Sequence, residues 1–459
     1  MQEIKENKMG YLPEKKLLFT MSLPIIISML VQSIYNVVDS IFVSRISEDA
    51  LTAVSLSFPI QNLMIAVGVG TGVGVNALLS RYLGMKEYKR ANSVATHGML
   101  LSLFSYLIFF IIGLLFVDKF FISQTDSQIV RDFGADYLSV IALFSIGVFV
   151  QITCERLLQS TGLTLYTMFT QMTGALVNII LDPILIFGLF GFPALNVKGA
   201  AIATVIGQCS GAVVGLILNF VKNKEIKISL KNFKLDMTMI FRIYEIGLPS
   251  IVMSSIGSVM VFFMNKILIL FTQTAVAVLG VMFKLQSFIF MPVFGLSNGM
   301  VPIIAYNYGA RKPQRIKNTI KIAIIAASIM TFVGFLIFQI FPDLLLSLFD
   351  ASKDMKEIGR ACLRRVSLSY LVVGFSIVAV SVFQSMGHGF MALLESFLRQ
   401  LIVLLPSAYL LSKTNVLENV WYSFFIAEIF AAVISFVFLK KIYEKEINKL
   451  DKLKQNLDK

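Results

Sequence analysis

Residues 17–44 read LLFTMSLPIIISMLVQSIYNVVDSIFVS, an apolar run with one acid, Asp39, one proline, Pro24, and no base. A bilayer core takes about 20 mostly apolar residues per helix, so this stretch can cross one with length to spare. Its opening dipeptide returns: Leu23-Pro24 reappears as Leu248-Pro249, a shift of 225 residues. Without a gap, the same shift pairs Ala50 with Ala275, Phe58 with Phe283, Gln61 with Gln286, Gly70 with Gly295 and Gly74 with Gly299. It also pairs Gly84 with Gly309, Arg90 with Arg315, Asp118 with Asp343 and Gly134 with Gly359. It still holds at Gln159-Ser160 with Gln384-Ser385 and at Gly162 with Gly387. Chance does not keep one register from Leu23 to Gly162, so the chain is an internal duplication.

Outward from this pair, twelve membrane-length segments are expected: 17–44, 51–80, 92–117, 133–155, 163–190, 199–221, 243–271, 275–307, 318–342, 358–386, 389–412 and 419–439. Pro24, Pro59, Pro183, Pro249 and Pro292 are expected to interrupt several of them, as lipid-embedded helices tolerate beside a cavity or another helix. Six spans per half insert both halves in the same orientation. The expected fold is thus an all-α polytopic membrane protein, twelve transmembrane helices in two pseudo-symmetric six-helix lobes working by alternating access. The boundaries read as an N-terminal lobe at 1–221, a linker at 222–242, a C-terminal lobe at 243–441 and a basic tail at 442–459.

Composition agrees with a lipid solvent. Of 459 residues, 57% are hydrophobic and 15% charged, with a mean hydropathy of +0.80, which a soluble chain of this length would not carry. The net charge of +13 does not point to nucleic acid, because the bases sit in short clusters between apolar runs. With both termini inside, 26 Lys and Arg fall on the cytoplasmic side and eight opposite, an N-in, C-in topology for a multi-pass protein of the cell membrane. No cleavable signal is evident between Met1 and Lys16. Cys154, Cys209 and Cys362 are scattered without metal or disulfide spacing. No catalytic constellation appears, so an enzyme is not expected. The run from Gly68 to Gly74 imitates a nucleotide loop, but no strand precedes it and it reads as helix packing.

These features resemble the multidrug and toxic compound extrusion (MATE) family over nearly the whole chain. The resemblance rests on the Leu-Pro of each half and on Tyr35-Asn36-Val37-Val38-Asp39. It rests also on Gly84-Met85-Lys86 with Gly309-Ala310-Arg311-Lys312, and on the two Gln-Ser-x-Gly segments ending at Gly162 and Gly387. Asn178 to Pro183 and Gly199 to Thr204 look like the family's ion-site pattern. Where the NorM-like branch carries an acid after the second Leu-Pro, this chain has Gly257, so the likeness is to the DinF-like or MepA-like branch. The resemblance implies a secondary active exporter of drugs, coupled to Na⁺ or H⁺, with no other cofactor. A lipid-linked saccharide flippase of the same superfamily is the rival; those chains usually have two extra spans and a more basic cavity.

Ionisable groups at membrane depth are costly and need a reason. Asp39 and Asp182 are two such acids without basic partners in sequence. Asn178 is four residues before Asp182 and shares its helix face. Pro183 leaves the Ile179 carbonyl free and offers a place to bend, a hinge. With Thr204 the set presents two carboxylates, an amide and a hydroxyl, suited to Na⁺ or to a shared proton. The resemblance implies that Asp39, Asn178, Asp182 and Thr204 carry ion coupling. At the 225 shift three of them become Met264, Val403 and Ser407, so the second half lacks this site. Glu395 and Arg399 read as a structural i,i+4 pair, whereas Glu428 has no partner on its own helix. Tyr35, Gln61, Gln286 and Glu428 are the candidate substrate contacts. Twenty-one Met and forty Phe supply adaptable walls for lipophilic organic cations, although most of them face lipid. The expected partners are a bilayer and small organic cations, and the expected state is a monomer.

Overall fold

The computed structural model describes residues 7–229, 231, 233–349 and 352–451, so part of the expected tail, 452–459, and residues 230 and 232 of the expected linker lie outside the described residues. Among the described residues every regular element is a helix. In chain order the long ones are α1 (Glu14–Ser44), α2 (Glu48–Gly84), α3 (Tyr88–Leu115), α4 (Gln128–Leu143), α5 (Ile146–Ser160), α6 (Thr164–Phe187) and α7 (Asn196–Val221). There follow α8 (Met237–Leu268), α9 (Gln273–Gly309), α10 (Pro313–Ile340), α11 (Lys353–Met386), α12 (Gly389–Ser412) and α13 (Leu417–Asp451). Among the described residues eleven helices are long and apolar enough to cross a bilayer, twelve when α4 and α5 count as one span bent by 46°.

Two local expectations differ. One unbroken span is expected over 133–155, yet α4 ends at Leu143 and α5 starts at Ile146. There Ser145 Oγ donates back to the Ala142 carbonyl at 2.9 Å, and Gly147 presses onto Cys209, so α5 turns to lie on α7. Conversely, Pro24, Pro59, Pro183, Pro249 and Pro292 all lie inside continuous helices, as does Pro302. One missing N–H per proline is tolerated where the remaining ladder is intact and shielded.

The chain divides into two compact units, Ile27–Gly247 and Met1–Ile26 with Leu248–Lys459. The cuts therefore fall inside α1 and α8, where the sequence placed the division within 222–242, and Met237 to Arg242 are already helix. In the first unit, α2 is the packing post. A Cβ at Gly74 would stand 2.1 Å from the Ile243 carbonyl oxygen, and one at Gly247 would stand 2.8 Å from that of Gly70. Gly68 and Gly72 face Ile152 and Arg156 of α5, so the glycine run is a close-contact surface. Met64, Phe109, Tyr137, Phe149 and Ile186 fill the space around it.

In the second unit α9 plays the same part. Gly295 and Gly299 admit Ile26 and Ser22 of α1, and Ser22 Oγ donates to the Leu296 carbonyl at 3.2 Å. This groove accounts for the first residues packing with the C-terminal half. The N-terminal segment is then strapped down: Asn307 donates to the Met9 carbonyl at 3.0 Å, Lys312 to Gly10 at 2.8 Å, and Arg315 to Leu12 at 2.5 Å. Met264, Met282, Phe338, Tyr370 and Trp421 form the apolar core of this unit.

Candidate functional site

Small residues build the site. Helix α7 opens with Gly199, Ala200, Ala201 and Ala203, all buried. A Cβ on Gly199 would stand 2.4 Å from the Leu185 carbonyl oxygen; one on Gly207 would stand 2.7 Å from that of Gly174 and 3.0 Å from Asn178 Cβ. Only with those methyls absent can α7 lie this close to α6. The approach sets Thr204 Oγ1 3.3 Å from Asn178 Nδ2, and the same amide donates to Asp182 Oδ1 at 3.4 Å.

The outer half of α1 supplies the rest. Tyr35 and Asp39 are one turn apart on one face. The Asp39 carboxyl lies within hydrogen-bonding reach of Asp182, and the Tyr35 hydroxyl within reach of Thr204. Asp182 is fully buried, and Asn178 and Thr204 nearly so. Three buried oxygens of this set find no hydrogen-bond partner among the described residues: Asp39 Oδ1, Asp182 Oδ2 and Asn178 Oδ1. Among the described residues no Lys or Arg pairs with either carboxyl. Two acids in contact, with orphaned oxygens and a hydroxyl beside them, fit a small monovalent cation or a proton held between them.

The structure thus brings Tyr35, Asp39, Asn178, Asp182 and Thr204 together in one unit, with Pro183 beside Asp182 inside α6. Gln61 lies in the same unit, and its Nε2 donates to the hydroxyl of Tyr137 at 3.0 Å. Tyr137 is buried on α4 and close enough to feel the Asp39 charge; nothing in the sequence marks it off from the apolar residues around it. Glu155 is another acid of this unit and is buried. Its carboxyl accepts from Gln151 at 3.0 Å and from Gln171 at 2.9 Å. Gln286 and Glu428 belong to the other unit. The Oε1 of Gln286 is buried without a hydrogen-bond partner among the described residues. Glu428, which lacks a partner on its own helix, takes Arg399 of α12 at 2.5 Å, so it is not the free cation attractor the sequence offered.

Comparison with known proteins identifies the family. A family model, MatE, matches residues 24–184 and again 249–410, once per half. The chain belongs to the MatE family. This MatE protein is a multi-pass membrane transporter. It is 28% identical over 436 residues to the multidrug export protein MepA of Staphylococcus haemolyticus, covering 94% of this chain and 95% of that protein. It is equally similar, 28% over 435 residues, to MepA of Staphylococcus aureus. Among solved structures, a MATE family transporter of the MOP superfamily in an outward-facing conformation superposes with a TM-score of 0.91 at 25% identity, over 98% of this chain and 100% of that one. A MOP superfamily transporter from Pyrococcus furiosus gives 0.90 at 25% identity, over 98% and 100%.

Proposed function

We propose that the chain exports small lipophilic organic cations from the cell, in exchange for Na⁺ or H⁺ entering, by alternating access of its two units. The observation that carries this reading is the contact between Asp39 and Asp182, with three orphaned oxygens beside Asn178 and Thr204. The multidrug export proteins to which the chain is similar support the choice of substrates.

The coupling step follows from the charges. With a cation or proton bound, the carboxyls are bridged and the pocket is stable as it stands. Without one, two unit charges about 4 Å apart repel by about 4 kcal/mol at an effective dielectric of ~20. That repulsion shifts a two-state equilibrium by about a thousandfold. Asp39 is carried on α1 and Asp182 on α6, so relief comes from moving one helix against the other. Tyr35 and Asn178 hold Thr204 from two sides and keep the third oxygen ligand in place.

The test uses purified protein in proteoliposomes loaded with a fluorescent organic cation. A Na⁺ gradient and a pH gradient are imposed in separate runs. Accelerated efflux under either one, lost in Asp182→Asn, is expected. Equal efflux with and without both gradients, or full efflux by Asp182→Asn, overturns the proposal.

A further inference from the structure

The 225-residue shift that removes Asp39 and Asp182 from the C-terminal unit puts other charges there. Glu395 and Arg399 on α12 and Glu428 on α13 correspond to Thr170, Gly174 and Ala203 of the other unit. Where α6 and α7 close on one another through glycine, α12 and α13 hold three ionisable side chains between them.

Their arrangement is unbalanced. Arg399 Nη1 meets Glu428 Oε1 at 2.5 Å, whereas its Nε stands 3.7 Å from Glu395 Oε1, beyond hydrogen-bonding distance. Glu395 is 1% exposed, and neither of its carboxylate oxygens has a hydrogen-bond partner among the described residues. Glu428 Oε2 and Arg399 Nε are also buried and unpaired. The charges acting on Glu395 are Arg399 from its own helix and Glu428 from α13. From α11 the stretch Tyr370–Met386 brings only Tyr370 as an ionisable group, and the single base of Leu248–Leu268 in α8, Lys266, is exposed over the Phe262 ring. Two carboxylates therefore share one guanidinium, which is committed to one of them. A buried carboxylate without a hydrogen bond, whose one counter-ion is bonded to another acid, is costlier than the neutral acid. A metal cation is the poorer remedy, since it would sit beside the guanidinium.

We propose that Glu395, Arg399 and Glu428 form a second proton-binding site, in the C-terminal unit, with the proton carried on Glu395. When loaded, Glu395 is a neutral acid beside a closed Arg399–Glu428 pair, and the cluster has no net charge. When Glu395 gives its proton to water, the cluster becomes anionic and Arg399 is drawn between the two carboxylates. Arg399 lies at the start of the π-helical stretch Leu398–Leu404, a backbone irregularity found often where a side chain must be re-aimed. This site does not depend on the export reading, because it is a protonation equilibrium of the protein itself.

Infrared difference spectra of the full chain in detergent at neutral pH test it. Subtracting Glu395→Gln from the unmodified protein should reveal the carbonyl stretch of one protonated carboxyl. Loss from the carboxylate bands instead would overturn the site. Glu428→Gln retains Glu395 but frees Arg399 to pair with it, so the protonated band should again disappear; its persistence there also refutes the assignment. That second variant decides the matter if Glu395→Gln does not purify intact. The Glu395 difference should recur unchanged in an Asp39→Asn/Asp182→Asn background, which separates it from the coupling site. Its absence in that background alone would show that the signal belongs to the other unit, and would end the proposal.

Discussion

The two units share a helix plan but solve the burial of polar groups in opposite ways. In Ile27–Gly247, α6 and α7 meet through Gly174 and Gly207, and the polar groups beside that seam, Asn178, Asp182 and Thr204, have no base among them. In the C-terminal unit the position of Gly174 is Arg399, and a guanidinium holds the seam with an acid on each side. The position of Asp39 is Met264, fully buried in the apolar core with Trp421 and Phe338. Duplication therefore preserved where the helices run and let the contents of one seam diverge. An acid pair without a counter-ion suits a monovalent cation or a shared proton, whereas under our proposal an arginine committed to one acid leaves the other to carry a proton.

The largest effect that would break this comparison is at the acid pair. Asp182→Asn should lower gradient-driven efflux at least a hundredfold while leaving membrane insertion intact, since only the ionisable group is lost. Its counterpart change, Ser407→Ala, should leave efflux within about twofold, because Ser407 Oγ only donates to the Leu404 carbonyl one turn back. Equal losses in both would mean that the units are equivalent after all. Pro183→Ala gives α6 the residue that the other half has at Ala408. About a tenfold loss of coupled efflux with near-normal drug binding is expected, measured separately on the same preparation. Unimpaired coupling would remove the hinge role from Pro183.

Smaller effects sharpen the same contrast. Gly207→Ala adds the methyl that Ala432 already carries at the matching position. In the N-terminal unit that methyl meets the Gly174 carbonyl, so thermal unfolding in detergent should show a loss of about 1–3 kcal/mol. No loss would mean that α6 and α7 are less tightly apposed than described. Smallest of all, Tyr137→Phe strips the acceptor from the Gln61 amide. A loss of about 1 kcal/mol in substrate affinity, with the ion dependence of efflux unchanged, is the expected result of a binding assay.

The sequence carried the fold because lipid enforces it: length, apolarity and the 225-residue register leave little else to decide. It missed the bend between α4 and α5, since neither proline nor glycine marks Phe144-Ser145; the turn arises from Gly147 seating on a distant helix. Asp39, Asn178, Asp182 and Thr204 were legible because acids are rare in such helices and spacing by four puts groups on one face. Tyr137 was not, because an aromatic in an apolar span looks like any other filler until its hydroxyl is seen to meet Gln61. Glu428 failed for a related reason. Periodicity reports partners on the same helix, and its partner, Arg399, is on another.

The strap at the N-terminal end bears on how the chain is made. Residues 27–247 are one continuous stretch, so every contact within that unit is available once Gly247 has been synthesised. The other unit is discontinuous: the donor for the Gly10 carbonyl is Lys312, 302 residues later, and Arg315 must follow before the Leu12 carbonyl is satisfied. Gly10 and Leu12 are thus made long before the side chains that hold them. The capture of the segment before α1 must wait for Asn307, Lys312 and Arg315 to be made, and it marks the closing of the C-terminal unit.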